Sequence, residues 1–217
     1  MDEYLFRVRV RDNREVAENV FLISFVRKWE FKAGQSIEVT IEPGIPPKIY
    51  NICSGPMDLY MKVLYNKHEG GKIPLRLAKM KPGDFLWISK PFGNFIGTVQ
   101  PAFWIASGTG VAPFYSMMKG EVNFNKYLVH GVQKPSRFYF HEEFEKALGK
   151  HYVKCIPAEC GEGMFYGRVS DFIRLHQELP LDNKYYLCGK TEMVNEVKEL
   201  LIERGVSFAN IISEIHI

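Results

Sequence analysis

Two segments in the second half of the sequence carry residue types that bind phosphate or position a ligand. Ser107-Gly108-Thr109-Gly110-Val111-Ala112-Pro113 follows a strand-like run and opens a helix-like run. Glycines let a backbone approach a pyrophosphate, and a helix N-terminus offers free N–H groups and a partial positive charge. A tight strand–helix turn without a ligand has the same composition, so both interpretations stay open. Tyr186-Leu187-Cys188-Gly189 ends a later predicted strand, where ligands of open α/β sheets bind, although a buried inert cysteine is the alternative.

Two segments of the first half could also contact a ligand. Lys48-Ile49-Tyr50-Asn51-Ile52-Cys53-Ser54 combines a cation, an aromatic ring and small polar side chains. Alternate residues of a strand share a face, so Lys48, Tyr50 and Ser54 are predicted to address one ligand. Gly70-Gly71-Lys72-Ile73-Pro74 opens a short predicted helix and is a second possible anion site.

The elements that must position these segments differ between the two halves. The first half has many short strands separated by Gly/Pro turns, which predicts an antiparallel Greek-key β-barrel with one helix over 73–80. The second half alternates strands and helices, which predicts an α/β domain with a parallel sheet. We expect domains at 1–98 and 99–217. The predicted strands are 5–11, 19–27, 35–41, 49–53, 59–65 and 85–89, then 103–107, 127–131, 151–156 and 185–189.

Composition excludes several classes of protein. The chain has 217 residues, a formal charge of +3 and 46% hydrophobic residues, which fits a globular protein and not a nucleic-acid binder. It has no run of roughly 18 apolar residues that could cross a membrane. The start lacks a signal peptide, so we expect a cytoplasmic location. The four cysteines lack the spacing of a metal or iron–sulfur site, and we expect no metal and reduced thiols. The basic run from Lys62 to Lys81 is either a solvated face or a dock for an acidic protein.

Together and in this order, the four segments resemble the ferredoxin–NADP reductase superfamily over nearly the whole chain. The resemblance implies an FAD-binding barrel followed by a domain that binds NADH or NADPH as co-substrate. Lys48-Ile49-Tyr50-Asn51 stands where that family has Arg-x-Tyr-Ser. It implies that Tyr50 stacks on the isoalloxazine, Asn51 hydrogen-bonds near flavin N5 and Lys48 meets the pyrophosphate. The other implied flavin contacts are Ile49, Ser54, Val63, Leu64, Gly71, Lys72, Ile73 and Pro74.

In the second half, the resemblance implies that Thr109 and Cys188 flank the nicotinamide. Asn51, Cys188 and Glu214 are the implied catalytic residues, and His216 takes the place of an aromatic residue that covers the flavin. A final strand with an exposed glutamate is the alternative for Glu214. The other implied nucleotide contacts are Gly108, Gly110, Val111, Ala112, Pro113, Gln133, Arg168, Gly189 and Met193.

The positions that select the nicotinamide depart from those of NADP-using relatives. Where such relatives have a Ser-Arg pair and a further arginine, this chain has Pro157-Ala158 and Gln133, while Arg168 is retained. A 2′-phosphate calls for cations, so we expect NADH or poor discrimination, with Lys134 or Arg137 as possible substitutes.

The expected activity is hydride transfer between nicotinamide and FAD, with electrons passed to or from an acidic one-electron carrier such as ferredoxin or flavodoxin. Reduction of free flavin is one alternative. An electron-transfer subunit of a hydrogenase or a dihydroorotate dehydrogenase is another. Such subunits carry a C-terminal cysteine cluster, which is not found here, so the stand-alone enzyme is favoured.

Overall fold

A computed structural model describes residues 4–68, 70–120, 124–158 and 161–216. Residue 216 is described by its backbone alone. The chain divides into two compact units. The first comprises Met1–Gly97 and Ala112–Gly120, and the second comprises Thr98–Val111 and Glu121–Ile217. The predicted functional ranges 1–98 and 99–217 stay predictions.

The first unit is a six-stranded antiparallel barrel. Its neighbouring strands follow the order β4-β3-β6-β1-β2-β5, and a bridge between Ile52 and Val63 joins the region after β4 to β5. The barrel fold predicted from the short strands and turns is confirmed. Its elements are β1 (Phe6–Ala17), β2 (Val20–Val26), β3 (Ser36–Thr40), β4 (Lys48–Asn51), β5 (Tyr60–Asn66), α1 (Lys72–Leu77) and β6 (Phe85–Ile88).

Alternation along the strands builds the core of the barrel. On β1, Val8 and Val10 are buried while Arg7 and Arg9 are exposed, as the period of two requires. Phe25 on β2 is fully buried in the same cluster. Burying one such apolar side chain contributes roughly 1.5–3 kcal/mol, so these strands hold β4 and β5 at fixed positions.

The second unit is built on a six-stranded parallel sheet in the order β10-β9-β8-β7-β11-β12. Four of its strands match the predicted ones, while β10, a three-residue strand, was not predicted. A final strand at the position of β12 was predicted only as the alternative interpretation of Glu214. The elements are β7 (Ala102–Ser107), α2 (Ala112–Lys119), β8 (Lys126–Gly131), α3 (His141–Leu148), β9 (Tyr152–Ile156), β10 (Met164–Tyr166), α4 (Val169–Leu175), β11 (Lys184–Lys190), α5 (Thr191–Glu203) and β12 (Ile211–His216).

Helix α2 follows β7 in sequence but belongs to the first unit by its contacts. The Ser116 hydroxyl on α2 donates to the Ser54 carbonyl at 2.7 Å, and both residues are fully buried. Sequence order alone assigns α2 to the sheet that it follows, whereas packing places it with the barrel residues.

Candidate functional site

The carboxyl ends of β7, β8 and β11 meet at a switch point of the parallel sheet. β8, β9 and β10 lie on one side of β7, and β11 and β12 lie on the other, so the strand order reverses at β7. Such a reversal opens a crevice in which α/β sheets bind ligands. A 3-10 turn over Gly108–Val111 follows β7 directly at this point.

The two glycine-containing segments predicted to bind nucleotide pack against each other here. A Cβ on Gly110 would lie 2.6 Å from the carbonyl carbon of Cys188 and 2.7 Å from the Cα of Gly189. Real Cβ atoms do not approach backbone this closely, so only glycine fits at position 110. The sequence placed each segment at a strand end, and the structure brings them into backbone contact.

Ser107 links the same two strand ends. Its hydroxyl accepts a hydrogen bond from the Lys190 backbone N–H at 3.0 Å. Gly189 has φ +144° and lies against Ser107, whose carbonyl oxygen would be 2.9 Å from an added Cβ. Sequence analysis gave Ser107 no role, although a small hydroxyl residue before Gly-x-Gly is the available signal.

Cys188 lies on β11 opposite Glu214 of β12. The thiol is completely buried, and burial together with the neighbouring Glu214 carboxylate raises its pKa well above the ordinary value. The thiol is therefore protonated at neutral pH and is a poor nucleophile. Glu214 is half-buried. The side chain of His216 lies outside the described residues, so its predicted place over the flavin stays a prediction.

His130 is a site residue that sequence analysis missed. It is the penultimate residue of β8 and is fully buried, with Nε2 3.0 Å from the Gly108 carbonyl oxygen and Nδ1 3.3 Å from the Tyr152 hydroxyl. Burial lowers its pKa to about 4, so the ring is neutral at physiological pH. A histidine at the end of an otherwise apolar strand is the only signal in the sequence.

The remaining predicted nucleotide contacts lie around this crevice or in the helix after it. Gln133 and Arg168 are exposed, and the Arg168 backbone N–H donates to the Asp171 carboxylate at 2.8 Å as α4 begins. Met193 packs partly against the core of the second unit. Val111, Ala112 and Pro113 are buried.

In the barrel, Tyr50 carries the observation that bears most directly on a ligand. Its hydroxyl is buried and has no hydrogen-bond partner among the described residues. The ring makes an edge contact with Tyr65 at 6.2 Å, and burial raises the pKa of the phenol. A buried polar group without a partner costs free energy that a bound ligand can recover. Tyr50 thus fits a bound cofactor with a hydrogen-bonding group beside it.

The residues after Tyr50 are buried. The Asn51 amide Nδ2 donates to the Ser36 hydroxyl at 2.9 Å. β4 ends at Asn51, so the shared strand face predicted for Lys48, Tyr50 and Ser54 does not extend to Ser54. The Ser54 hydroxyl instead accepts from the Lys62 backbone N–H at 3.1 Å.

Other predicted flavin contacts differ in exposure. Ile49 is 53% exposed, whereas Val63 and Leu64 are buried on β5. Helix α1 begins at Lys72 with Gly71 before it, and the Leu75 N–H donates to the Gly71 carbonyl at 3.2 Å. Pro74 in its first turn has no N–H, so the amides of Lys72 and Ile73 are those available for a phosphate.

Several further properties concern the described part of the chain. Within it, no set of three or more His, Cys, Asp or Glu side chains is grouped as metal ligands. None of its helices combines the length and apolarity needed to cross a membrane. Cys53, Cys155 and Cys188 are buried, reduced thiols, and Cys160 lies outside the described residues.

Comparison with known proteins finds similar oxidoreductases. A family model described as an oxidoreductase NAD-binding domain matches residues 104–199. A probable dihydroorotate dehydrogenase B (NAD(+)) electron transfer subunit of Pyrococcus abyssi is 28% identical over 201 residues, 91% of this chain and 74% of that protein. A ferredoxin–NADP reductase of Pseudomonas aeruginosa is 26% identical over 211 residues, 82% of this chain and 81% of that one.

The fold is also found in solved structures. The crystal structure of a ferredoxin NADP+ reductase from Neisseria gonorrhoeae, with bound FAD and NADP, matches with a TM-score of 0.85 and 20% identity, and covers 99% of both chains. This likeness concerns the fold. In its barrel, its parallel sheet and its matched NAD-binding segment, the chain is similar to proteins of the ferredoxin–NADP reductase superfamily.

Proposed function

We propose that this chain is an FAD-dependent oxidoreductase that transfers a hydride between NAD(P)H and FAD and exchanges single electrons with an acidic carrier protein such as ferredoxin or flavodoxin. The observation that carries the proposal is the buried Tyr50 hydroxyl, which has no hydrogen-bond partner among the described residues, in a barrel that shares its chain with an oxidoreductase NAD-binding segment. Relatives described as ferredoxin–NADP reductases support the same activity.

Bound FAD would accept a hydride from the nicotinamide and release its electrons one at a time. The residues of the chain would bind the FAD and the nucleotide and hold them in the required orientation. Tyr50 and Asn51 would hold the flavin ring, with the Asn51 amide already fixed by its bond to Ser36. Lys48 and the first-turn amides of α1 would meet the flavin phosphates.

On the nucleotide side, the turn after β7 and the end of β11 would hold the donor. The contact of Gly110 with the Cys188 backbone fixes the two walls of the crevice against each other. The Cys188 thiol, kept protonated by burial, would position the nicotinamide without forming a bond to it. Such fixed positioning is what a direct hydride transfer requires, since the reacting atoms must lie about 3–3.5 Å apart.

The proposed acidic partner would dock near α1. Lys67, Lys72, Lys79 and Lys81 are exposed on and beside this helix. Arg76 of the same run forms an ion pair with Glu42 at 2.6 Å and so contributes less net charge. Surface charges of this kind steer an oppositely charged protein to its site.

The proposed nicotinamide is NADH, or both nucleotides with poor discrimination. The positions that could face a 2′-phosphate include the exposed Gln133 and Ala158 and the half-buried Pro157, none of which is a cation. Two missing charge-assisted contacts of about 1.5–3 kcal/mol each would erode any NADPH preference. A kcat/KM for NADPH more than tenfold above that for NADH would contradict this.

The activity is tested by electron transfer to carriers. The purified chain should keep FAD through gel filtration and reduce a ferredoxin or flavodoxin with NADH. Lys79→Glu with Lys81→Glu should slow carrier reduction at low salt, whereas Lys150→Glu, an exposed lysine of the second unit, should not. FAD that exchanges freely as a substrate would support the free-flavin reductase instead.

A second candidate is an electron-transfer subunit of a larger complex. It is favoured by the 28% identity over 91% of this chain to a probable dihydroorotate dehydrogenase B electron transfer subunit. Co-purification of the native protein with a fixed partner, and electron transfer to that partner in preference to free carriers, would support it.

A further inference from the structure

His130 occupies a position that the proposed mechanism leaves unused. It lies next to the last residue of β8, beside the turn that follows β7, and it is 0% exposed. The ring packs edge-on against Phe138 at 5.4 Å and stacks near Tyr152 at 6.5 Å. Packing on these sides fixes the plane of the imidazole.

The two ring nitrogens have different partners, which fixes the tautomer. Nε2 lies 3.0 Å from the carbonyl oxygen of Gly108, which can only accept, so Nε2 carries the hydrogen. Nδ1 then accepts from the Tyr152 hydroxyl at 3.3 Å. Because burial keeps the ring neutral, His130 offers one donor, and that donor is directed at Gly108.

This bond, together with the 3-10 turn that begins at Gly108, fixes how the peptide between Gly108 and Thr109 faces. Gly108 has φ +54°, has open space where a Cβ would be, and begins the 3-10 turn Gly108–Val111. In a trans peptide, the C=O and the following N–H point in opposite directions. A Gly108 carbonyl held toward β8 therefore directs the Thr109 N–H away from β8.

We propose that His130 is a positioning residue of the nucleotide site, which holds the Gly108 carbonyl and so directs the Thr109 amide toward a phosphate of the bound dinucleotide. A backbone N–H that is already oriented binds an anion without first losing conformational freedom. The proposal rests on the proposed function only in requiring that a dinucleotide binds at this turn.

The test uses the full chain and ADP-ribose, a probe with the pyrophosphate and no nicotinamide, in isothermal titration calorimetry. His130→Leu removes the donor and should raise Kd about tenfold or more, the expected effect of losing a well-oriented bond to an anion. His130→Gln keeps an N–H donor near the same place and should recover binding to within about threefold of wild type. FAD content should be equal in all three proteins. A folded His130→Leu protein with wild-type Kd would overturn the proposal.

A measurement on the wild-type protein covers the case in which His130→Leu does not fold. In ¹⁵N spectra, the His130 ring should carry its hydrogen at Nε2, and saturation with ADP-ribose should shift the Thr109 amide. A hydrogen at Nδ1, or an unshifted Thr109 amide, would overturn this proposal without contradicting the proposed oxidoreductase activity. Wild-type protein that binds neither ADP-ribose nor NADH would contradict the proposed function itself.

Discussion

Tyr50 and Tyr65 are neighbouring tyrosines in the barrel whose hydroxyls differ in one respect. The Tyr65 hydroxyl donates to the Asn13 side-chain oxygen at 3.1 Å, whereas the buried Tyr50 hydroxyl has no partner among the described residues. Leaving a buried hydroxyl unsatisfied costs about 1–3 kcal/mol, and pairing it recovers part of that cost. The difference predicts which of the two hydroxyls contacts a ligand.

Phenylalanine substitutions separate the two roles. Tyr50→Phe should leave the flavin-free protein as stable as wild type or about 1 kcal/mol more stable, and weaken FAD binding about fivefold to tenfold. Tyr65→Phe should lower the free energy of unfolding by about 1 kcal/mol and leave FAD affinity unchanged. Urea denaturation and fluorescence titration with FAD measure both. Equal FAD affinity in wild type and Tyr50→Phe would remove this hydroxyl from the site.

Cys188 and Cys155 are both buried thiols of the parallel sheet, but only Cys188 lies at the crevice. Cys188→Ser should lower the rate of flavin reduction by NADH about tenfold, equivalent to about 1.4 kcal/mol of barrier, with FAD still bound. Cys155→Ser should lower stability and leave the rate unchanged. Stopped-flow absorbance measures the rates, and a Cys188→Ser rate equal to wild type would assign Cys188 to the core.

Prediction from the sequence had a clear limit at this scale. Tyr50, Asn51 and Cys188 stand at recognisable motif positions, so their placement could be anticipated. His130 and Ser107 act through backbone carbonyl and N–H groups that belong to other strands. Such contacts depend on which strands become neighbours, and one sequence does not show that.

At the scale of elements, alternation and turn residues predicted the longer strands well. β10 was missed because it has three residues, which are half-buried or exposed and show no alternation. Helix α2 packs with the first unit through tertiary contacts such as that of Ser116 with Ser54, which sequence order does not show. The backbone contact of the β7 turn with β11 is also a tertiary feature, and it can be tested.

Gly110→Ala should force the turn after β7 and strand β11 apart. The added Cβ would overlap the Cys188 backbone, and overpacking of this kind costs about 1–3 kcal/mol. NADH binding should weaken at least tenfold in the same variant because both walls of the crevice move. Gly149→Ala is the control. This glycine has φ +54° and ψ −127° and open space around its Cβ position, so its substitution should cost about 1–3 kcal/mol through backbone strain and leave NADH affinity unchanged. Unchanged NADH affinity in Gly110→Ala would contradict the close contact.

At the scale of the whole molecule, a neutral buried histidine makes stability depend on pH. The pKa of His130 is about 4 in the folded chain and about 6.5 in the unfolded one, so the unfolded state binds more protons between these values. Stability should therefore fall on acidification from pH 6.5 to 4, by about 3 kcal/mol from this residue.

Substitution of His130 isolates its contribution to the pH dependence of stability. Other titrating groups are common to wild type and His130→Gln, so the difference between their unfolding free energies should shrink as the pH falls through this range. Denaturation curves at pH 7, 6, 5 and 4.5 measure it. Parallel pH profiles for the two proteins would show that His130 is not buried in its neutral form.

The central claim is that one chain binds FAD in its barrel and reduces it with a dinucleotide bound at its parallel sheet. Anaerobic titration of the purified protein with NADH, followed through the absorption bands of bound flavin, tests this claim most directly. We predict a yellow protein with stoichiometric FAD whose absorbance is bleached by about one equivalent of NADH, since a hydride carries both electrons that the flavin accepts. A chain that retains no flavin after reconstitution with FAD, or bound flavin that NADH and NADPH both leave oxidised, would contradict it.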